Sequence, residues 1–298
     1  MGDSGFARAV RQLVEDALWV DVRPGLRVRA VAEAALSAAG GSAAPDAAGG
    51  SAAPDAKRRL EQALLEAGVV PRRYLRNLGT IGLQGQAKLL GARVGVAGLG
   101  GLGGLAAELL ARAGVGELVL VDPDIVSDDN LNRQLLATEA NLGQSKVEAA
   151  RQRLSEVNSA TTVLVHQQRG DAATFREFFA GVSAVVDALD TVPARLDLQD
   201  AARHLGVPLI HGAIAGWSGQ VTTVFPGDPG LETLYGPRET ATERGVEALV
   251  GNLSPTPALV AAAQVQEVIK ALTGIGQPLR RKLLILDAQS PYATIVDL

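Results

Sequence analysis

Glycines, cations and aspartates at a few spacings carry the chemistry open to this chain. Gly98-Leu99-Gly100-Gly101-Leu102-Gly103 follows the apolar run Arg93-Val94-Gly95-Val96-Ala97 and opens a helical run from Leu105 to Ala113. Glycines at 98, 100, 101 and 103 permit a tight turn and close approach of a phosphate, and the helix start adds free N–H groups and a positive dipole end. Asp122 ends the next apolar run about 20 residues on, where a carboxylate accepts hydrogen bonds from ribose hydroxyls. This much implies a nucleotide and leaves ATP and NAD both open. The plain alternative is a glycine turn that only packs a helix on a strand.

The residues that follow separate the two nucleotides. Asn130-Leu131-Asn132-Arg133-Gln134 and Gly143-Gln144-Ser145-Lys146 supply Asn130, Arg133 and Lys146. A dehydrogenase has no use for a cation pair here. A site that cleaves between the α- and β-phosphates must neutralise the charge gathering on departing pyrophosphate, and Arg133 and Lys146 suit that task. Val185-Val186-Asp187-Ala188-Leu189-Asp190 puts Asp190 at the C-terminal end of a strand, the ligand-binding edge of α/β sheets, where it can hold Mg²⁺. Each also has a structural alternative: a surface ion pair for Arg133, a solvated helix position for Lys146, a cap on the helix from Val192 for Asp190.

These residues need a scaffold, and the chain alternates short apolar strands (92–97, 117–122, 161–167, 183–187, 208–214) with helices starting near Leu102, Gln144 and Val192. That pattern predicts an α/β, Rossmann-like fold: a largely parallel sheet with helices on both faces. Gln220 to Phe225, and Lys282 to Asp287 with Thr294 to Val296, predict a C-terminal antiparallel portion. A helix is expected at 258–272, and the long segment 226–256 has no clear periodicity. Upstream, residues 1–39 read as a helical appendage of two short helices broken at Arg23-Pro24-Gly25. Residues 40–56, two copies of Gly-Gly-Ser-Ala-Ala-Pro-Asp-Ala, read as a flexible linker, and 57–298 as the nucleotide-binding domain.

Composition sets the outer bounds. A net charge of -4 over 298 residues argues against nucleic acid as a partner. No cysteine is present, which excludes disulfides, thiolate zinc and any cysteine nucleophile in this polypeptide. No basic-then-apolar leader and no stretch of about 18 apolar residues occurs, so a cytoplasmic protein with no membrane partner is expected. Of the histidines His166, His204 and His211, the last lies in an expected strand, with a core or supporting role rather than a catalytic one.

Taken in order and spacing, Arg73-Tyr74-Leu75-Arg76-Asn77, the glycine loop, Asp122-Pro123-Asp124, Asn130 to Gln134, Gly143 to Lys146 and Ala188-Leu189-Asp190-Thr191 resemble the MoeB/ThiF/HesA family of adenylyltransferases, relatives of ubiquitin-activating enzymes. The resemblance runs from about Pro71 to the end and takes in Gly245-Val246, Glu267 and Lys270. It implies that Gly98 to Gly103 and Asp122 hold adenosine, that Asn130, Arg133 and Lys146 hold phosphates, and that Asp190 binds Mg²⁺. Arg76 resembles an arginine that reaches a neighbouring subunit's ATP, implying a homodimer, although arginines at 72, 73 and 76 also read as a solvated basic face. The implied reaction is ATP-dependent adenylation of the C-terminal Gly-Gly carboxylate of a small β-grasp sulfur carrier resembling ThiS or MoaD, with 226–256 as the crossover loop. Alternatives are a tRNA-borne or small-molecule carboxylate, a nicotinamide oxidoreductase, and a non-catalytic scaffold. Many relatives carry Cys-x-x-Cys pairs for zinc. Here Gly230-Leu231-Glu232-Thr233 stands in the first place, so no zinc is expected and the product stops at the acyl-adenylate.

Overall fold

A computed structural model describes residues 3–43, 52–240, 250–290 and 292–298. The chain forms two compact units. The smaller takes residues up to Ala92 with 111–117 and 155–162, and the larger takes 93–110, 118–154 and 163–298.

The smaller unit corrects the reading of the N-terminal region. Helix α1 (Asp3–Glu15) is followed by a hairpin of β1 (Leu18–Arg23) and β2 (Leu26–Val31), where a second helix was expected. Leu26-Arg27-Val28-Arg29-Ala30 alternates apolar and charged residues, the period of a half-buried strand, and Gly25 supplies the positive φ of the turn. After α2 (Glu33–Ala43) and α3 (Ala52–Glu66), β3 (Val69–Pro71) pairs parallel with β2, and α4 (Leu78–Gly91) closes the unit. Helix therefore occupies both ends of the expected linker, and its centre, 44–51, lies outside the described residues. The expected boundary at 56/57 is also displaced, because Leu60 and Leu64 of α3 share one core with Leu13, Val31, Leu36 and Val69.

A buried polar group sits in the same unit. Glu61 is fully buried, and its Oε2 accepts from the Tyr74 hydroxyl at 2.9 Å. Asn158 donates to the Tyr74 oxygen at 3.1 Å and to the Ala111 carbonyl at 2.9 Å. Arg73, which fits a solvated basic face on paper, instead bonds Glu33 at 2.9 Å and Asn158. Burial pushes the Glu61 carboxyl up to about 7, against the nearby Arg73 charge and the Tyr74 bond.

The larger unit follows the expected alternation. In order come β4 (Arg93–Ala97), α5 (Gly101–Ala113), β5 (Glu117–Val121), α6 (Lys146–Val157), β6 (Thr162–His166), α7 (Ala172–Phe178), β7 (Ala184–Asp187) and α8 (Val192–Leu205). Then come β8 (Leu209–Ala215), β9 (Ser218–Val224), the short α9 (Glu232–Tyr235), α10 (Pro255–Thr273), β10 (Lys282–Asp287) and β11 (Tyr292–Asp297). One sheet runs β11-β10-β9-β8-β7-β4-β5-β6. Strands β4, β7 and β8 are parallel, while β8, β9, β10 and β11 pair antiparallel in succession, as the sequence predicts. Chain order reverses about β4, with β5 on one side and β7 on the other, and such a switch point opens a ligand crevice at the strand ends.

Helix α10 crosses the back of β8 and β9. Its Gln264 donates to the carbonyls of Asp187 and Ile210 at 2.8 and 3.2 Å, and its buried Glu267 accepts from Thr223 and from the Leu279 amide at 2.8 and 2.6 Å. Glu267 and Lys270, at family-like positions, form an ion pair. Gly245-Val246 lies outside the described residues. No helix among the described residues is long and apolar enough to cross a membrane.

Deleting residues 1–56 removes the partners of Leu60, Leu64 and Val69, so the truncated chain should lose cooperative unfolding of the smaller unit. Leu60→Ala should cost about 2–5 kcal/mol in urea denaturation. The raised carboxyl of Glu61 gives a second expectation. Its folded value, about 7, lies above the unfolded 4.5, so the stability it contributes is fully present below pH 4.5 and is lost as pH rises through about 7. That loss is roughly 3 kcal/mol. Glu61→Gln should flatten this part of the pH dependence, which urea midpoints at pH 5 and 8 measure.

Candidate active site

At the end of β4 the chain turns at Gly98, whose φ is +86°. A β-carbon there would lie 2.5 Å from the Ala188 carbonyl oxygen, and one at Gly103 would overlap the Gly98 carbonyl, so both positions admit only glycine. Gly103 thus packs the turn rather than facing ligand. The Gly98 amide donates to Val121 and that of Ala188 donates to Ala97, which locks β5 and β7 beside the turn. The crevice that results is a cavity of about 530 Å³, every lining residue of which belongs to the larger unit.

Asp122 ties the loops together. The Leu99 amide donates to its Oδ2 at 2.6 Å and the Asp124 amide to its Oδ1 at 2.8 Å. Burial pushes its carboxyl up, while the Lys146 charge and both amides pull it back. Each oxygen keeps a second lone pair for a ribose hydroxyl, so the expected role stands beside a structural one.

The cations reach the cavity through backbone pairing. Val126 and Gly143 exchange bonds with Gln144 and Val126 at 2.8 Å each, and the Lys146 amide donates to Asp124 at 3.0 Å. This places Lys146 at the start of α6 with its Nζ 2.9 Å from Asp124 Oδ2. Lys146 is 8% exposed, so it is not the solvated helix residue of the structural alternative. Arg133 donates to the Asp129 carbonyl at 2.7 Å and to Asn132 Oδ1 at 2.8 Å, and pairs with no carboxylate among the described residues. Asn130 lines the cavity while its side chain closes a local capping box with Ser127 and Asp129.

Across the cavity, the turn Ala188–Asp190 is set by the Leu189 amide donating to Asp187 Oδ1 at 3.0 Å. Asp190 is exposed, lines the cavity and has no ion-pair partner among the described residues. Thr191, not Asp190, is the cap of α8, which removes the capping alternative. Gly98, Gly100, Gly101, Asp122, Asn130, Arg133, Lys146 and Asp190 thus meet in one cavity. Arg76 does not; it is exposed in a turn of the smaller unit.

Arg195 also lines this cavity and was missed from sequence. It donates to Asp187 Oδ2 at 3.1 Å and to the Gly212 carbonyl at 2.8 Å. Burial works against a charge on Asp187, yet Arg195 and a bond from His211 hold its carboxyl below the usual range. The signal available was Asp187 itself, a carboxylate inside a fully apolar strand, which requires a buried cation.

The arrangement suits a polyphosphate better than a dinucleotide. A glycine turn at a helix start meets cations at two further loops and a free carboxylate opposite, which fits a triphosphate with a divalent cation. Among the described residues no cluster of side chains suits a tightly held structural metal.

Comparison with known proteins agrees with this geometry. The ThiF family model matches residues 74–296. The SAMP-activating enzyme E1 of Haloferax volcanii is 38% identical over 236 residues, covering 76% of this chain and 86% of its own. The molybdopterin-synthase adenylyltransferase of Salmonella typhimurium is 39% identical over 213 residues, covering 70% and 83%. In fold, the chain matches E. coli MccB, solved with ATP, at a TM-score of 0.63 and 21% identity over 88% of this chain and 82% of that one. A glycine-turn crevice at the sheet's switch point, the family match across nearly all of the larger unit, and these relatives agree: the chain belongs to the ThiF family.

Proposed function

We propose that this protein uses ATP to adenylate the C-terminal glycine carboxylate of a small ubiquitin-like sulfur carrier. The observation that carries the reading is the convergence of Arg133, Lys146 and Asp190 on the cavity of the Gly98 turn. The named activities of the two relatives support it. A carboxylate is ionised at neutral pH and needs no general base, so the site has to align and neutralise. The carboxylate oxygen attacks the α-phosphorus, the bond from that phosphorus to the bridging oxygen breaks, and pyrophosphate leaves with the charge that Arg133 and Lys146 face. The product is an acyl-adenylate. With no cysteine among these 298 residues, none of them can carry the sulfur as a persulfide or thioester.

Mg²⁺ fits beside Asp190, whose free carboxylate supplies the hard oxygen donor such an ion takes. When bound, the ion would neutralise phosphate charge. Arg76 is assigned by resemblance to the ATP of a neighbouring subunit, which makes the working form a homodimer with composite sites. The segment after β9 holds the carrier tail in this reading.

Calorimetry should show ATP binding that strengthens with Mg²⁺, and NAD binding at least about 100-fold weaker. Lys146→Ala should weaken ATP binding about tenfold or more, since it removes a charge-assisted contact worth roughly 1.5–3 kcal/mol. NAD binding tighter than ATP would end the adenylation reading.

A mixing assay tests the composite site. Arg76→Ala and Asp190→Ala proteins should each be nearly inactive in ATP–pyrophosphate exchange with a working carrier. After verified subunit exchange, about half the dimers are mixed and each has one intact site, so roughly a quarter of wild-type activity should return. No return after confirmed exchange would place Arg76 in its own subunit's site, and a fully active Arg76→Ala protein would remove it from the site.

A further inference from the structure

The nucleotide cavity does not use His211, although this imidazole is fully buried directly behind the Asp190 turn. Its Nδ1 lies 2.7 Å from Asp187 Oδ2 and must carry the proton, because an ionised carboxylate only accepts. Its Nε2 is then an acceptor, met by the Tyr235 hydroxyl at 3.0 Å and the Gln220 amide at 3.4 Å. Gln220 also donates to the Tyr235 oxygen at 2.9 Å. The ring edges of His211 and Tyr235 meet at a centroid distance of 5.6 Å. A continuous chain of bonds therefore runs from the Leu189 amide through Asp187 and His211 to Tyr235 in α9, the element that opens the long segment after β9.

We propose that His211 is a positioning residue: as a neutral imidazole it ties the turn carrying Asp190 to the helix carrying Tyr235, and its protonation reverses one bond of that tie and opposes another. The charged and polar groups facing the ring come from every element around it. Strand β7 brings Asp187, α8 brings Arg195 with Nη1 at 3.2 Å, α9 brings Tyr235 and β9 brings Gln220. Helix α10 brings only the neutral Gln264, on the carbonyls of Asp187 and Ile210. A proton on Nε2 would set a donor against the Gln220 amide and would reverse the bond to Tyr235, whose hydroxyl oxygen, already accepting from Gln220, would have to accept from the ring as well. It would also place a second cation beside Arg195. Burial first, then Arg195, press the imidazole below its usual range, against the bond and charge of Asp187. The folded value lies below the unfolded 6.5, so the tie is fully present above pH 6.5 and is lost as pH falls through the folded value.

The tie itself is tested in the full-length protein by nitrogen NMR of its three histidines, His211 being identified by its loss in His211→Gln. The expected spectrum has His211 protonated on Nδ1 alone at pH 7 and still mainly neutral at pH 6, where a free imidazole is about three quarters protonated. Tyr235→Phe, which keeps the ring, should move the Nε2 resonance. An Nε2–H tautomer, ordinary titration near pH 6.5, or an Nε2 signal indifferent to Tyr235→Phe would overturn the proposal. The effect on catalysis rests on the adenylation reading and is measured by pyrophosphate exchange. Wild-type activity should hold down to about pH 6 and fall at more acid pH, whereas His211→Gln, whose amide oxygen accepts from Tyr235 at any pH, should keep its rate there. Tyr235→Phe should raise half-saturating Mg²⁺ about tenfold, as loss of a supporting partner does at metal sites, with an unchanged unfolding midpoint. Identical acid limbs in wild type and His211→Gln would refute the positioning role. An inactive wild type with the expected tautomer would instead refute adenylation and leave the tie standing.

Discussion

Where the Gly98 turn passes Ala188 there is no room for a side chain. A β-carbon at 98 would stand 2.5 Å from the Ala188 carbonyl, and one at 103 would meet the Gly98 carbonyl. Removing those two carbons lets the ends of β4, β5 and β7 close on one another, and the amides of Gly98, Ala188 and Leu99 fasten them. Because the turn cannot widen without breaking those bonds, the Asp190 turn and Asp122 sit at fixed places around the cavity. The cations arrive on looser supports: a two-strand bridge at Ile125 and Ser145 for Lys146, and a short 3-10 turn at Asp128–Asn130 for Arg133. Asp122 and the Asp190 turn are thus set by the glycine turn itself, while Lys146 and Arg133 are set by separate loops that meet the same cavity.

The larger unit was legible because its signals are local. A strand that is apolar at nearly every position, then glycine, then a helix, reads the same from sequence as in space, and β4, β7 and β8 fall close to where the apolar runs put them. The smaller unit was not, for two physical reasons. The alternation in Leu26 to Ala30 spans one short strand, and with Arg23-Pro24-Gly25 before it a helix break and a hairpin turn look alike. The repeated Gly-Gly-Ser-Ala-Ala-Pro-Asp-Ala segment has a linker's composition, yet α2 and α3 on either side pack Leu36 and Leu60 into one core. Composition reports what a segment lacks, while pairing of distant helices depends on contacts that no window of sequence contains. Arg73 illustrates the same limit: beside Arg72 and Arg76 it looked solvated, and only the fold brings Glu33 and Asn158 to it.

In the candidate site, which residues would line the cavity was legible and how they are linked was not. Asp122, Arg133, Lys146 and Asp190 could each be picked by charge and spacing. That Asp122 would hold the backbone of Leu99, or that Arg195 would reach from α8 to Asp187, depends on how β5 and β7 stand beside β4. Buried charge gives the one usable hint. Asp187 lies within Ala184-Val185-Val186-Asp187, and a carboxylate taken out of water without a partner is neutralised by a shifted pKa or excluded from the core. Its presence there demands a donor set, which Arg195, His211 and the Leu189 amide supply.

The two cations of the cavity, Arg133 and Lys146, differ in how they are held. Arg133 is held by a carbonyl and an amide oxygen, neutral acceptors that fix its direction and leave its charge uncompensated. Lys146 is paired with Asp124, whose side chain is 60% exposed, so water screens the pair from the aspartate's side. A triphosphate presents more charge and several acceptor oxygens, so exchanging Asp124 for phosphate gains stronger charge-assisted bonds at small cost. Asp124 then serves to keep the lysine stem, which is largely buried, aligned when no ligand is present. In the proposed reaction, departing pyrophosphate would carry that charge away and leave the Asp124 carboxylate to take the ammonium back.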